Sequence, residues 1–157
     1  MTFSHLTPYT SWSVFSPEGR RLWELYVQYV KPEAVTRVAL RYINRIEIPG
    51  QRFELSDYFK LYPEIPKTIP QDINSTFIQL QMPQIDLAPD IVAVFNFGSA
   101  VPFSDKSVAM MLDIDVYATR ALSLATKDVF DVLEILRTRK NELFEACITD
   151  RTRDIFR

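Results

Sequence analysis

The sequence predicts an α+β fold: an antiparallel sheet of about four to five strands with a long C-terminal helix packed on one face. Apolar and polar residues alternate from about Val35 to Ile48, the pattern of a strand with one buried face. Further strand candidates follow in short, proline-separated segments, and short connections favour antiparallel neighbours. From near Thr126 apolar residues recur at helical spacing, so a long helix can cover one sheet face.

The first predicted element is a helix that begins at Ser16-Pro17-Glu18. A hydroxyl N-cap there precedes proline at the first helical position and an acid near the helix dipole. We expect this helix to end at Pro32. The long strand follows and is predicted to end at Pro49-Gly50.

The remaining elements follow from the same signals. A helical turn is predicted at Leu55 to Phe59. Strand candidates lie at about Ile73–Met82, Ile91–Phe97 and Val108–Tyr117. The long helix begins near Thr126, and Thr149 is predicted to cap a short final helix through Phe156.

Length and composition predict one domain over residues 1–157 and exclude several classes of site. Cys147 is the single cysteine and His5 the single histidine, so one chain can form neither a disulfide nor a zinc centre with several such ligands. The net charge of −2 shows no excess of basic residues of the kind that binds nucleic acid, and we expect no nucleic-acid partner. No apolar run approaches a membrane span and no signal peptide is visible, which predicts no membrane association and a cytoplasmic location. No cofactor is predicted.

Charged side chains are predicted to share one face of the sheet. Arg37, Arg41 and Arg45 occupy odd positions of the long strand, while Asp113 and Asp115 lie on one face of a later strand. If the two strands are neighbours, these residues form cross-strand ion pairs, each stabilising by about 0.2–1 kcal/mol. This polar face is the candidate site, and no catalytic or metal-binding residue is predicted.

A second interpretation of the same acids is a nucleotidyltransferase. Gly98-Ser99 followed by Asp113-Ile114-Asp115 is the order in which many such enzymes hold magnesium and a triphosphate, since two carboxylates on one strand face can bind a metal. Pro102 interrupts the helix that should follow Gly98-Ser99, and no third acid stands on a later strand. The ion-pair interpretation is therefore favoured.

Several segments together resemble a family of uncharacterised prokaryotic proteins described as sporadically distributed. The matching segments are Y-T-S-W at Tyr9 to Trp12, L-R-Y-I-N-R-I at Leu40 to Ile46, D-Y-F at Asp57 to Phe59, L-D-I-D-V at Leu112 to Val116, and the tail from Asn141 to Phe156, which contains F-E-A-C-I-T-D-R-T-R. The family pattern includes an upstream strand-containing segment, so the resemblance implies that this chain lacks it. The resemblance implies no reaction, cofactor or catalytic residue.

The sequence favours a non-enzymatic protein-interaction or regulatory module. Its partner is expected to be another protein or a second copy, with aromatic residues such as Phe95, Phe97 and Phe103 at the contact. A chaperone-like binder of apolar segments is an alternative that the same aromatic content allows. The metal-dependent nucleotidyltransferase using Asp113 and Asp115 is the other alternative.

Overall fold

The computed structural model describes residues 1–6, 9–50 and 52–156, and these residues form one four-stranded antiparallel sheet with its helices. In chain order the elements are α1 (Trp12–Val30), β1 (Val38–Pro49), α2 (Leu55–Tyr58), β2 (Phe77–Pro83), β3 (Ile91–Ala100), β4 (Ser107–Ala118), α3 (Thr126–Cys147) and α4 (Asp150–Ile155). The strand order is β1-β4-β3-β2, so β2, β3 and β4 form a meander and β1 lies beside β4. The predicted α+β fold with an antiparallel sheet is confirmed.

The core lies between one face of the sheet and helix α3. Even positions of β1 and β4 and odd positions of β3 share this face, because the register aligns Leu40 with Val116 and Val116 with Ala93. Full burial of each large apolar side chain contributes about 1.5–3 kcal/mol. The largest fully buried side chains on the strands and α3 are Ile46, Ile48, Ile91, Phe95, Phe97, Met110, Leu112, Ile114, Val116 and Leu136. Phe95 and Phe97 therefore cannot anchor a contact with another chain, and that expectation was wrong.

Helix α1 begins one turn earlier than its sequence signal indicates. The Ser11 carbonyl accepts hydrogen bonds from the backbone of Val14 and Phe15, and Pro17 lies inside the helix. Pro17 leaves one carbonyl of the first turn without its helical N–H. The indole of Trp12 donates a 2.5 Å hydrogen bond to Glu134 on α3. This tertiary contact favours a start at Trp12 over the local preference for Ser16-Pro17.

Hydrogen bonds join the beginning of α4 to α2. Thr149 caps α4 as predicted, because its side chain accepts a hydrogen bond from the Thr152 backbone. The Thr149 hydroxyl also donates to the Asp57 carbonyl at 2.6 Å, and the Thr152 hydroxyl donates to the Tyr58 carbonyl at 2.5 Å. The Tyr58 carbonyl also accepts from the Thr149 backbone N–H at 3.0 Å, so both backbone and side-chain hydrogen bonds join the start of α4 to α2.

Candidate functional site

The face of the sheet opposite α3 is called the open face here. It carries the odd positions of β1, β2 and β4 and the even positions of β3. Side chains on this face are less buried than those on the face that packs against α3. Ile43 is 60% exposed and Phe77 is 66% exposed. Strand register arranges the face in rows that run β1-β4-β3-β2: Arg45-Met111-Gly98-Phe77, Ile43-Asp113-Asn96-Gln79 and Arg41-Asp115-Val94-Gln81.

A polar ladder crosses all four strands of the open face, and its members are Arg41, Asp113, Asn96 and Gln79. Arg41 donates two hydrogen bonds to the Asp113 carboxylate, from Nε to Oδ1 at 2.8 Å and from Nη2 to Oδ2 at 2.6 Å. Asn96 donates to Asp113 Oδ2 at 3.0 Å and accepts from Gln79 at 2.7 Å. Asp113 is only 1% exposed, so its charge is both neutralised and shielded by these neighbours.

A second ion pair lies beside the ladder. Arg37 Nη2 donates to Asp115 Oδ2 at 3.1 Å, and the Arg37 guanidinium lies 4.3 Å from the centre of the Tyr117 ring. The register sets Arg41 directly opposite Asp115, so its bond to Asp113 is diagonal. The structure thus brings together four of the five residues of the expected polar face.

Arg45, the fifth residue, makes different contacts. It pairs with Glu47 on its own strand at 2.7 Å, and its guanidinium lies 3.5 Å from the centre of the Phe103 ring. Glu47 also accepts hydrogen bonds from the Ser107 hydroxyl at 2.8 Å and the Phe103 backbone at 3.2 Å. These contacts hold the β3–β4 loop against the edge of the open face. The spacing of Arg45 and Glu47 along one strand face was the signal for this pair.

Exposed apolar side chains flank the polar ladder. Ile43 lies between two arginines on β1, Phe77 begins β2, and Phe103 is 80% exposed in the β3–β4 loop. Of these, sequence reasoning identified only Phe103. The signal for Ile43 was an apolar residue at an odd position of a strand whose odd positions are otherwise mostly charged.

Gly98 has a packing role that the nucleotidyltransferase interpretation did not anticipate. A Cβ atom at Gly98 would lie 2.7 Å from the Thr76 carbonyl oxygen, so the close approach of that backbone requires glycine. Asp113 and Asp115 are engaged by arginines. Within residues 1–6, 9–50 and 52–156, no three His, Cys, Asp or Glu side chains come together as metal ligands. The third acid that this interpretation requires is thus not found in the described part of the chain.

Two buried titratable groups lie away from the open face. Burial raises the pKa of the Cys147 thiol to about 11, as expected for a packed thiol. Burial, together with the nearby charge of Arg137, lowers the pKa of Lys140 to about 8. The Lys140 ammonium lies 3.7 Å from the centre of the Tyr42 ring, on the helix side of β1. Sequence reasoning missed Lys140, although its spacing of four from Leu136 placed it on the buried helix face.

The arginines of the C-terminal helices are engaged in ion pairs rather than left as a free basic stripe. The pairs are Arg137 with Glu134, Arg139 with Asp86, Arg151 with Asp57, and Arg153 with Glu145. This mixed-charge pattern is typical of a solvated helix face.

No family model, curated protein or solved structure matches the chain. The resemblance to the sporadically distributed prokaryotic family therefore stays a prediction. Among the helices that the structure describes, none combines the length and the apolar character needed to cross a membrane.

Proposed function

We propose that this protein is a non-enzymatic protein-interaction module and that the open face of its sheet is the docking surface. The observation that carries the proposal is the exposure of Ile43, Phe77 and Phe103 around a hydrogen-bonded polar ladder. Large apolar side chains left exposed on one face beside ordered polar side chains mark that face as a candidate interaction site. Arginine and aromatic residues supply much of the binding energy at such contacts.

The polar ladder lowers the entropy cost of binding at the open face. Arg41, Asn96 and Gln79 are already held by hydrogen bonds within the sheet. Ordering a free polar side chain at an interface costs about 0.5–1.5 kcal/mol, so side chains that are already fixed lose less entropy. Two N–H groups of Arg41 donate to Asp113, and the guanidinium has about three more that can donate to a partner.

The non-enzymatic part of the proposal rests on the chemistry of the ladder. Asp113 accepts hydrogen bonds on both oxygens, so neither of them is available as a base or nucleophile. Asp115 is paired with Arg37 through Oδ2, and its buried Oδ1 has no hydrogen-bond partner among the described residues. A cytoplasmic location is part of the same proposal, because a chain with Cys147 as its single cysteine has no need of an oxidising compartment.

Site-specific photo-crosslinking tests this proposal in the cells that produce the protein. A photoreactive residue replaces Ile43 in one variant and Phe77 in another. The matched control carries it at Ile135, an apolar side chain on α3 that is 45% exposed. We expect a discrete protein adduct from positions 43 and 77 and a much weaker signal from position 135. Equal labelling at all three positions, or none at 43 and 77, would refute the proposal.

A further inference from the structure

The open face is electrically neutral and so can meet a copy of itself without repulsion. Its charged side chains are three arginines and three carboxylates: Arg37, Arg41, Arg45, Glu47, Asp113 and Asp115. A strongly acidic or basic partner would gain no net attraction from this surface. A neutral face with both signs interspersed instead suits an isologous contact, in which the same patch serves both partners.

Unused hydrogen-bonding groups lie at opposite edges of the open face. On β1, the Arg41 side chain is 55% exposed and keeps N–H groups beyond those bound to Asp113. On β2, the exposed Gln81 donates through Nε2 to the Tyr117 hydroxyl, and its amide oxygen has no donor among the described residues. The N–H groups of Arg41 at one edge and the amide oxygen of Gln81 at the other are complementary between two copies.

The rows of the sheet specify how two copies would align. Arg41 and Gln81 end the same row on β1 and β2, and Arg45 and Phe77 end another. A two-fold axis parallel to the strands, between β3 and β4, keeps each row and exchanges its edges. Arg41 then faces Gln81 of the second copy, and Arg45 faces Phe77 of the second copy. Stacked sheets align within about 30°, an offset that these long side chains can span.

The area of the open face is adequate for a reversible dimer. Four strands about 4.8 Å apart and about ten residues long present on the order of 600 Å². Two such faces bury about 1,200 Å² together, at the lower end of the range for specific interfaces. Contacts at this end of the size range are typical of weak, reversible assemblies, so we expect a dimer with a dissociation constant of about micromolar.

We infer that the partner of the open face is a second copy of this chain, stacked face to face about a two-fold axis parallel to the strands. This inference rests on the proposed function, because it names the occupant of the proposed docking surface. The dimer buries Ile43, Phe77 and the polar ladder between two stacked sheets. In this arrangement β1 of each copy lies over β2 of the other.

Substitutions that change the charge at position 81 test the inference, because opposite charges should change the dissociation constant of the dimer in opposite directions. Gln81 is exposed, so neither Gln81→Glu nor Gln81→Lys disturbs the core. Gln81→Glu places an acid opposite Arg41 of the second copy, twice in each dimer, and we expect the dissociation constant to fall about three- to tenfold. Gln81→Lys is expected to raise it by a similar factor. Ile43→Lys combined with Phe77→Lys should raise it at least about tenfold.

Sedimentation velocity over a wide concentration range measures the dissociation constants of the full chain and these variants, with circular dichroism as the control for folding. A chain that stays monomeric at about 100 µM would overturn the inference, since a micromolar dimer is then mostly assembled. Changes in the same direction for Gln81→Glu and Gln81→Lys would also overturn it. A crosslink from position 43 to a different protein refutes self-association but leaves the docking surface intact, whereas no crosslink refutes both.

Discussion

Asp113→Asn is the sharpest test of the polar ladder, because the two side chains have nearly the same size. In the parent protein both carboxylate oxygens accept from Arg41, and Asn96 adds a further donor. Either orientation of the asparagine amide turns an NH₂ group toward an N–H donor. The substitution therefore removes a charge and leaves at least one buried donor without an acceptor.

The expected loss in the free energy of unfolding is about 2–3 kcal/mol. Hydrogen bonds to charged groups contribute about 1.5–3 kcal/mol each, but the sum is not fully lost. The Arg41 side chain is 55% exposed and regains water when its partner is neutralised. A loss of this size lowers the melting temperature of a chain of this length by about 4–12 °C.

Urea unfolding at one fixed protein concentration measures this loss, since self-association would otherwise change the apparent stability. Asp115→Asn is the matched control, because Asp115 accepts a single hydrogen bond among the described residues, from Arg37, and its side chain is 23% exposed. The control should lose less than about 1 kcal/mol. If Asp113→Asn lies within about 0.5 kcal/mol of the parent, or matches the control, the ladder does not stabilise the sheet as argued.

Three further predictions concern buried positions. Gly98→Ala should lower the free energy of unfolding by about 1–3 kcal/mol, because its Cβ would lie 2.7 Å from the Thr76 carbonyl oxygen. Gly19→Ala is the control, since its helical Cβ meets its nearest side-chain atom at 3.5 Å and should leave stability unchanged or higher. Lys140→Met should raise stability by about 1–3 kcal/mol at pH 7. That gain should fall as the pH rises from about 8 to 10.5, where the folded parent has released the Lys140 proton and the unfolded chain still holds it. A gain that is equally large at pH 10.5 would contradict the burial argument. Cys147 should react with a thiol reagent at pH 8 about 100-fold more slowly in the folded protein than in urea, and equal rates would show that the thiol is accessible.

The sequence by itself determined the order of elements and the faces of the strands. Alternation from Val38 to Ile48 reported which β1 side chains enter the core, because successive strand residues point to opposite sides. The cap at Thr149 was equally visible, since a hydroxyl N-cap acts on backbone groups a few residues away. Both signals are local, so they do not depend on how distant segments meet.

The tertiary structure alone decided which charges pair and which apolar residues remain exposed. Arg41 reaches Asp113 diagonally, and Arg45 lies against Phe103, because these outcomes depend on the register of β1 against β4 and on the path of the β3–β4 loop. The start of α1 was likewise set by the contact of Trp12 with α3. Register and packing arise from interactions between segments far apart in the chain, and a pattern within one segment carries no information about its distant neighbours.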